Sequence, residues 1–370
     1  MAPFLLTVCI PTYRRPESLD RAIASVVHQI EENALQDDVQ LLVVNDASPD
    51  PATEEVLQRW ASGLSSDWFR CLNRSVNLGM SGNLLDMLRC QAEGTYQLLL
   101  TDDDQLEAGS LLLLLQALRS GPSGEAAVIW TPRPSYREDG SLHCVECRSF
   151  AGTRLLQPGA WTSGKQMRNG FILSGLILRR DRIDFCFWET HQDNAFFPVL
   201  IVGDLLGRYS GCYLDQSLVR HTVLNQCHWE RWGRTQLEIE ARLFRDFQDC
   251  FPIVRRRQPR LKWCFSLGAV LPQGRHLAHY AMMRGGLVDY RDRVGTRQAL
   301  RLLRQRQMPL LGSTLVLMLV ALRQLRDVGR PEIELSPDLP PVPQRLYRIF
   351  WAVWALWIGP IPGSEGPESA

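Results

Sequence analysis

The stretch Tyr96-Gln97-Leu98-Leu99-Leu100-Thr101-Asp102-Asp103-Asp104 decides the fold. A short apolar run that stops at three adjacent carboxylates reads as a buried strand whose carboxyl end opens onto a polar site. Three similar runs precede it. Phe4–Ile10 is a strand, and Val39–Val44 is almost continuously apolar, as in a strand covered on both faces of a parallel sheet. Trp68–Leu72 is the third, and Ala126–Trp130 adds a fifth after the aspartates. Between them lie helical patterns. Pro16, Glu17 and Ser18 open a helix in which Leu19, Ile23, Val26, Val27 and Ile30 recur at helical spacing. Thr53–Ala61 and Leu84–Cys90 read as two more. Strands alternating with helices predict an α/β fold with a mostly parallel, Rossmann-like sheet.

Beyond Trp130 the pattern weakens. Residues 131–170 are rich in Gly, Pro, Ser and Arg and read as loops or a small excursion. Pattern resumes at Gly170–Arg180 and at Phe196–Leu206, which is helix-like. The expected organisation is an α/β domain over 1–225, an Arg-rich helical extension over 226–330, a Pro-rich linker over 331–344, and an aromatic tail helix with a disordered end over 345–370. Met308–Leu322 carries no charge but falls short of the ~20 residues needed to span a bilayer, so it reads as a buried helix.

Composition narrows the function. The chain has 370 residues, 45% apolar and 22% charged, with a formal net charge of +1, which excludes a disordered or coiled-coil protein and gives no case for a nucleic-acid partner. The charge is uneven: residues 1–130 hold 8 Arg against 18 Asp/Glu, and residues 230–330 hold 20 Arg/Lys against 8 Asp/Glu. That asymmetry, with Trp351, Trp354 and Trp357 behind Arg345 and Arg348, raises peripheral contact with an anionic membrane, against simple packing of the tail on the protein. Ten dispersed Cys, and an apolar opening that Pro11 stops without a preceding basic stretch, predict a cytoplasmic protein without a secretory leader.

Four segments stand where such a sheet places its ligand. Pro11-Thr12-Tyr13-Arg14-Arg15 follows the first strand and offers hydroxyls, a ring face and a cation for phosphate. Asn45-Asp46-Ala47-Ser48-Pro49-Asp50 follows the second; Asp46 is placed to accept from a base N–H or a ribose hydroxyl, and Asp50 belongs to the turn. Asn77-Leu78-Gly79-Met80-Ser81-Gly82-Asn83 opens a helix, with Gly79 and Gly82 permitting close backbone approach and Ser81 or Asn83 able to cap. At Asp102-Asp103-Asp104, carboxylates side by side raise one another's pKa unless a cation is present, and hard divalent ions with oxygen ligands are the natural partner.

Taken in order, Cys9-Ile10-Pro11-Thr12-Tyr13-Arg14, Val44-Asn45-Asp46-Ala47-Ser48, Asn77-Leu78-Gly79 and Thr101-Asp102-Asp103-Asp104 resemble the motifs of a family 2 glycosyltransferase with the GT-A fold. The resemblance covers about residues 4–225. It implies a nucleotide-sugar donor, a divalent metal (Mn2+ or Mg2+) at the aspartates, inversion at the anomeric carbon, and a saccharide or lipid-linked acceptor in cell-envelope polysaccharide or lipopolysaccharide synthesis. The implied donor site comprises Pro11, Thr12, Tyr13, Arg14, Asp46, Asn77, Gly79 and Asn83. Asp102 would lie near the ribose, and Ser174 and Gly175 would sit in a loop closing on the sugar. Either Asp103 or Asp104 is the main metal ligand, and His221 is in reach of the metal or the diphosphate. The acidic base is expected some 90 residues after the aspartates, in Glu189-Thr190-His191-Gln192-Asp193-Asn194, with Asp193 ahead of Glu189. The competing reading is a catalytically inactive sugar-binding or scaffold protein of the same fold, against which all three aspartates argue.

Overall fold

The computed structural model describes residues 4–137, 140–147, 149–222, 246, 249–258 and 265. The expected linker and tail helix, Met308–Leu322 and nearly all of the Arg-rich extension lie outside the described residues.

The chain runs β1 (Leu6–Thr12), α1 (Pro16–Glu32), β2 (Val39–Asn45), α2 (Pro51–Gly63), β3 (Phe69–Asn73), α3 (Gly79–Asp86), β4 (Tyr96–Leu99), β5 (Gln105–Leu106), α4 (Ser110–Ser120) and β6 (Val128–Trp130). Then come β7 (Arg133–Tyr136), β8 (Leu142–Glu146), β9 (Arg154–Leu156), α5 (Ala160–Gln166), β10 (Leu176–Arg179), α6 (Phe185–Glu189), α7 (Phe197–Arg208), β11 (Gly211–Tyr213) and β12 (Val219–Thr222). One π turn, Met87–Gln91, continues α3. The expected first half is present with ends shifted by at most two residues, except that α3 starts at Gly79, five residues before Leu84. Of the two readings for 131–170, loops or a small excursion, the structure has the second: the stretch holds three strands and a helix, and two of those strands join a separate small sheet.

The main sheet has the order β3-β2-β1-β4-β10-β6-β11-β9. All its neighbours pair in parallel except where β10 and β9 take part, so the sheet is mostly parallel. Its two faces are both covered. Leu41 and Val43 of β2 pack with α1, α2 and α4, while Leu42 and Val44 pack with α3 and α7. This is why β2 reads as an unbroken apolar run: alternation vanishes when both faces are buried. The helix α1 turns Leu19, Ala22, Ile23, Val26, Val27 and Ile30 inward, at the spacing the sequence shows.

Two features of this topology position the site. Antiparallel β10 begins at Leu176 opposite Leu99, so the residues just before it lie at the carboxyl end of β4. A second sheet, β5-β12-β7-β8, sets β12 against β5 directly after the aspartates. Pro11 also fits its strand. The Thr12 carbonyl faces β2 and the Cys9 carbonyl faces β4, so the N–H that Pro11 lacks points toward β4, whose pairing ends opposite Cys9. The Leu100 amide bonds the Cys9 carbonyl, and the next ladder bond is the one Pro11 cannot donate, so the pairing with β4 stops at the strand end.

Candidate active site

The site is tied together at the carboxyl ends of β1, β2 and β4. Thr12 Oγ1 donates to Asp102 Oδ2 at 2.7 Å, and the Tyr13 amide donates to the same oxygen at 3.3 Å. On the other side of that carboxylate, Arg15 Nη1 donates to Asp102 Oδ1 at 3.1 Å and to Asp103 Oδ2 at 2.6 Å. Burial pushes the Asp102 carboxyl up to about 6, with the neighbouring Asp103 adding to the rise and Arg15 and Thr12 opposing it.

Asp104 faces a different set of partners. Its Oδ2 accepts from Thr101 Oγ1 at 3.0 Å and its Oδ1 lies 2.7 Å from His221 Nδ1 on β12. Burial alone would raise its pKa. The hydrogen bond and charge of His221, followed by the charge of Arg133, outweigh that and hold it below the usual carboxylate range. Arg133 is itself almost buried and donates to Glu146 Oε2 at 2.6 Å, an oxygen that also accepts from Ser135.

Ser174 stands behind the aspartates. The Thr101 amide donates to Ser174 Oγ at 2.9 Å, and the two hydroxyls are 2.8 Å apart. Gly175 follows with φ +84°, and a Cβ there would sit 2.9 Å from Thr131 Oγ1, so the turn into β10 admits only glycine without strain.

The second strand end is built around Asp46. Its Oδ1 accepts the Leu78 amide at 2.7 Å, and its carbonyl accepts Asn77 Nδ2 at 2.9 Å. Asn77 Oδ1 then accepts the Gly79 amide, and Gly79 has φ +75°. Asn77 thus fastens the loop that carries the start of α3. Asn83 is buried, with Nδ2 on the Val44 carbonyl and Oδ1 on Arg74, so it anchors the helix beneath the site. Asp50 belongs to the turn as expected and caps α2 through the Thr53 amide.

The structure brings Arg15, rather than Arg14, to the aspartates. Arg14 takes φ +61° and its guanidinium lies 4.9 Å from the centre of the Tyr13 ring, while its amide donates to Ser48 Oγ. That left-handed residue turns Arg14 outward and the next side chain in; two consecutive arginines give no sign of it in sequence.

The two acidic candidates on the acceptor side part company. The segment 189–194 runs along α3 and its π turn. Gln192 approaches Gly82, and the Ser81 hydroxyl donates to the Asn194 carbonyl at 3.2 Å, at the end of α3 that Asp46 holds. Glu189 pairs with Arg89, seven residues farther along that helix and so roughly 10 Å from Gly82. Exposed Asp193 lines a cleft of about 420 Å³ with Thr190, His191, Asn194, Asp246, Asp249 and Ile253. Asp246 secures this wall, accepting the Ala195 amide on Oδ2 and Asn194 Nδ2 on its carbonyl. Asp246 and Asp249 are absent from the sequence reading because more than 50 residues separate them from Asp193.

The donor set fits a hard divalent ion. Asp102 and Asp103 already share one cationic nitrogen, with the Asp104–His221 pair beside them. Among the described residues no three His, Cys, Asp or Glu groups converge into a closed metal cage. Mg2+ and Mn2+ commonly take one or two carboxylates and complete their shell with water and phosphate oxygens, and the adjacent aspartates supply carboxylates of that kind.

The model of glycosyl transferase family 2 matches residues 7–164, which run from within β1 to beyond β9 and contain every aspartate of this cluster. The chain carries a family 2 glycosyltransferase domain. Over 232 residues it is 34% identical to the abequosyltransferase RfbV of Salmonella typhimurium, covering 58% of this chain and 66% of that protein. Over 119 residues it is 34% identical to the GalNAc(5)-diNAcBac-PP-undecaprenol beta-1,3-glucosyltransferase of Campylobacter jejuni, covering 31% and 35%. The chain therefore spans less than two thirds of the length of either relative. Residues 1–349 of S. aureus TarS, in complex with UDP-GlcNAc, superpose with a TM-score of 0.54 at 14% identity, covering 90% of this chain and 98% of that one. The family 2 domain thus has the GT-A fold expected from its motifs. No helix among the described residues is long and apolar enough to cross a membrane.

Proposed function

We propose that this protein transfers a sugar from a nucleotide-sugar to a saccharide or lipid-linked acceptor, with inversion, in cell-envelope polysaccharide or lipopolysaccharide synthesis. One observation carries the reading: within a family 2 domain, the first-strand loop, Asp46 and the aspartates are bonded into one site at the carboxyl ends of β1, β2 and β4. The relatives' names support the setting, since one is an abequosyltransferase and the other a glucosyltransferase named for a polyprenol-linked substrate. The TarS complex with UDP-GlcNAc supports a nucleotide-sugar as the donor.

In this reading Thr12, Tyr13 and Asp46 receive the nucleoside. Asp46 uses Oδ1 to hold Leu78, which leaves Oδ2 for a base N–H or ribose hydroxyl. Asp103 or Asp104 would be the main ligand of the divalent ion, with Asp104 held ionised by His221 and Arg133; Asp102 borders the ribose and also joins the ion's shell, because it shares Arg15 with Asp103. When bound, that ion neutralises charge building on the leaving diphosphate. Ser174 and Gly175 border the sugar. Asp193 takes the proton from the acceptor hydroxyl as it attacks the anomeric carbon from the face opposite the diphosphate. The carboxylate of Asp193 is solvent-exposed at the cleft, where an acceptor hydroxyl can reach it. Glu189 is spent on Arg89 and supports the helix instead. Peripheral membrane contact through the basic tail is part of the proposal only as a property of residues beyond the described structure.

The test is a panel of nucleotide-sugars offered to the purified protein with Mn2+ or Mg2+, scored by release of nucleoside diphosphate. Metal-dependent release from one donor is the expected result. Release from none, by folded protein, overturns the reading in favour of an inactive binding protein.

A further inference from the structure

Arg15 reaches the aspartates with a single nitrogen, 3.1 Å from Asp102 Oδ1 and 2.6 Å from Asp103 Oδ2. Its backbone is fixed. It is the residue before Pro16, and its carbonyl accepts the Leu19 amide at 2.9 Å to close the first turn of α1. Its side chain is less confined, 22% exposed against 7% for Asp102 and 16% for Asp103. A guanidinium in this place answers the same need as a divalent ion, because two adjacent and largely buried carboxylates require a cation between them. The guanidinium and a metal ion cannot occupy the same pair of oxygens, since like charges a few ångströms apart repel.

We infer that Arg15 is the resident cation of the Asp102–Asp103 pair and is exchanged for the divalent ion that enters with the donor, its guanidinium then passing to the diphosphate. The inference rests on the nucleotide-sugar reading above. Arginine suits both ends of the exchange, because its planar fork matches carboxylate and phosphate alike. The path is short: the side chain pivots on an anchored Cα, while Thr12 and the Tyr13 amide hold Asp102 in place from its other oxygen. Two consequences follow. The donor-free site holds metal weakly, because the ion must first displace a bound charge. Metal and donor then bind with positive coupling, because the displaced charge finds its new partner on the donor.

The test is Mn2+ binding by the full chain, read from the electron paramagnetic resonance of the free aquo ion, with Mn2+ alone and with UDP, GDP or CDP added. Wild type is compared with Arg15→Met, Arg15→Lys and Asp103→Asn, each checked for folding by circular dichroism. With Mn2+ alone, Arg15→Met should bind at least roughly tenfold more tightly than wild type, since a competing charge is gone. Arg15→Lys, which keeps a cation, should stay near wild type, and Asp103→Asn should bind more weakly. The nucleoside diphosphate that binds should tighten Mn2+ strongly in wild type and far less in Arg15→Met. If Arg15→Met binds Mn2+ no better than wild type without nucleotide, while nucleotide still tightens wild type, the exchange is overturned and the donor reading stands. If no protein binds Mn2+ under any condition, the metal site falls and the exchange with it.

Discussion

Thr12 Oγ1 donates to Asp102 Oδ2 across 2.7 Å, joining residues 90 positions apart at the ends of β1 and β4. The bond explains how two motifs on different strands act as one site. The same carboxylate receives Arg15 on its other oxygen, so the loop after β1 embraces Asp102 from both sides.

Removal of a metal-site carboxylate should abolish most turnover. Asp103→Ala and Asp104→Ala are each expected to lower it by at least about 10²-fold, Asp103 through lost metal charge and Asp104 through loss of the His221 pair. Steady-state rates across a Mn2+ titration check this. Wild-type rates for both variants in a chelator would show that the aspartates serve no metal.

The base assignment separates two neighbours. Asp193→Asn should lose about 10²–10⁴-fold in transfer while keeping donor binding, because the general-base contribution goes and the shape stays. Glu189→Gln should keep most activity and lose only an exposed ion pair with Arg89, worth at most about 1 kcal/mol. The reverse pattern in paired transfer assays moves the base to Glu189.

Asp102 should leave a pH signature on stability. Burial raises its folded pKa to about 6 from the ordinary carboxylate value of 3.8, so the folded state favours the protonated form. Its contribution is therefore full below the unfolded pKa and disappears as pH rises through about 6. Thermal melts in a chelator between pH 4 and 7 should show wild type losing stability relative to Asp102→Asn over that window. A flat difference would contradict the buried, ionisable Asp102 described here.

Gly175→Ala should be destabilising by about 1–3 kcal/mol, since the new Cβ meets both a left-handed backbone and Thr131 Oγ1. Chemical denaturation measures it. Donor affinity should weaken as well, because Ser174 holds Thr101 at the head of the aspartates.

Much of the domain was legible because β1 to β4 are apolar runs, each ending in a polar motif, and α1 shows its buried face at a clear period. The second sheet was not. Arg133-Pro134-Ser135-Tyr136 of β7 has the composition of a loop, and β5 and β12 are two and four residues long, so only their pairing reveals that His221 meets Asp104. The role of Arg15 hangs on the φ of Arg14, a property that no spacing encodes. Glu189 and Asp193 differ in sequence by four positions, and they part only because the segment runs along α3.

The central claim is that these strand ends bind a nucleotide-sugar, and calorimetric titration of a nucleotide-sugar panel with Mn2+ tests it most directly, comparing wild type with Asp46→Asn. The variant keeps a carbonyl oxygen for the Leu78 amide but replaces the outer acceptor with a donor. The account expects one donor to bind wild type and to bind Asp46→Asn at least about tenfold more weakly, the loss of one good hydrogen bond. Equal binding by both proteins, or binding of no nucleotide-sugar by folded wild type, would contradict it.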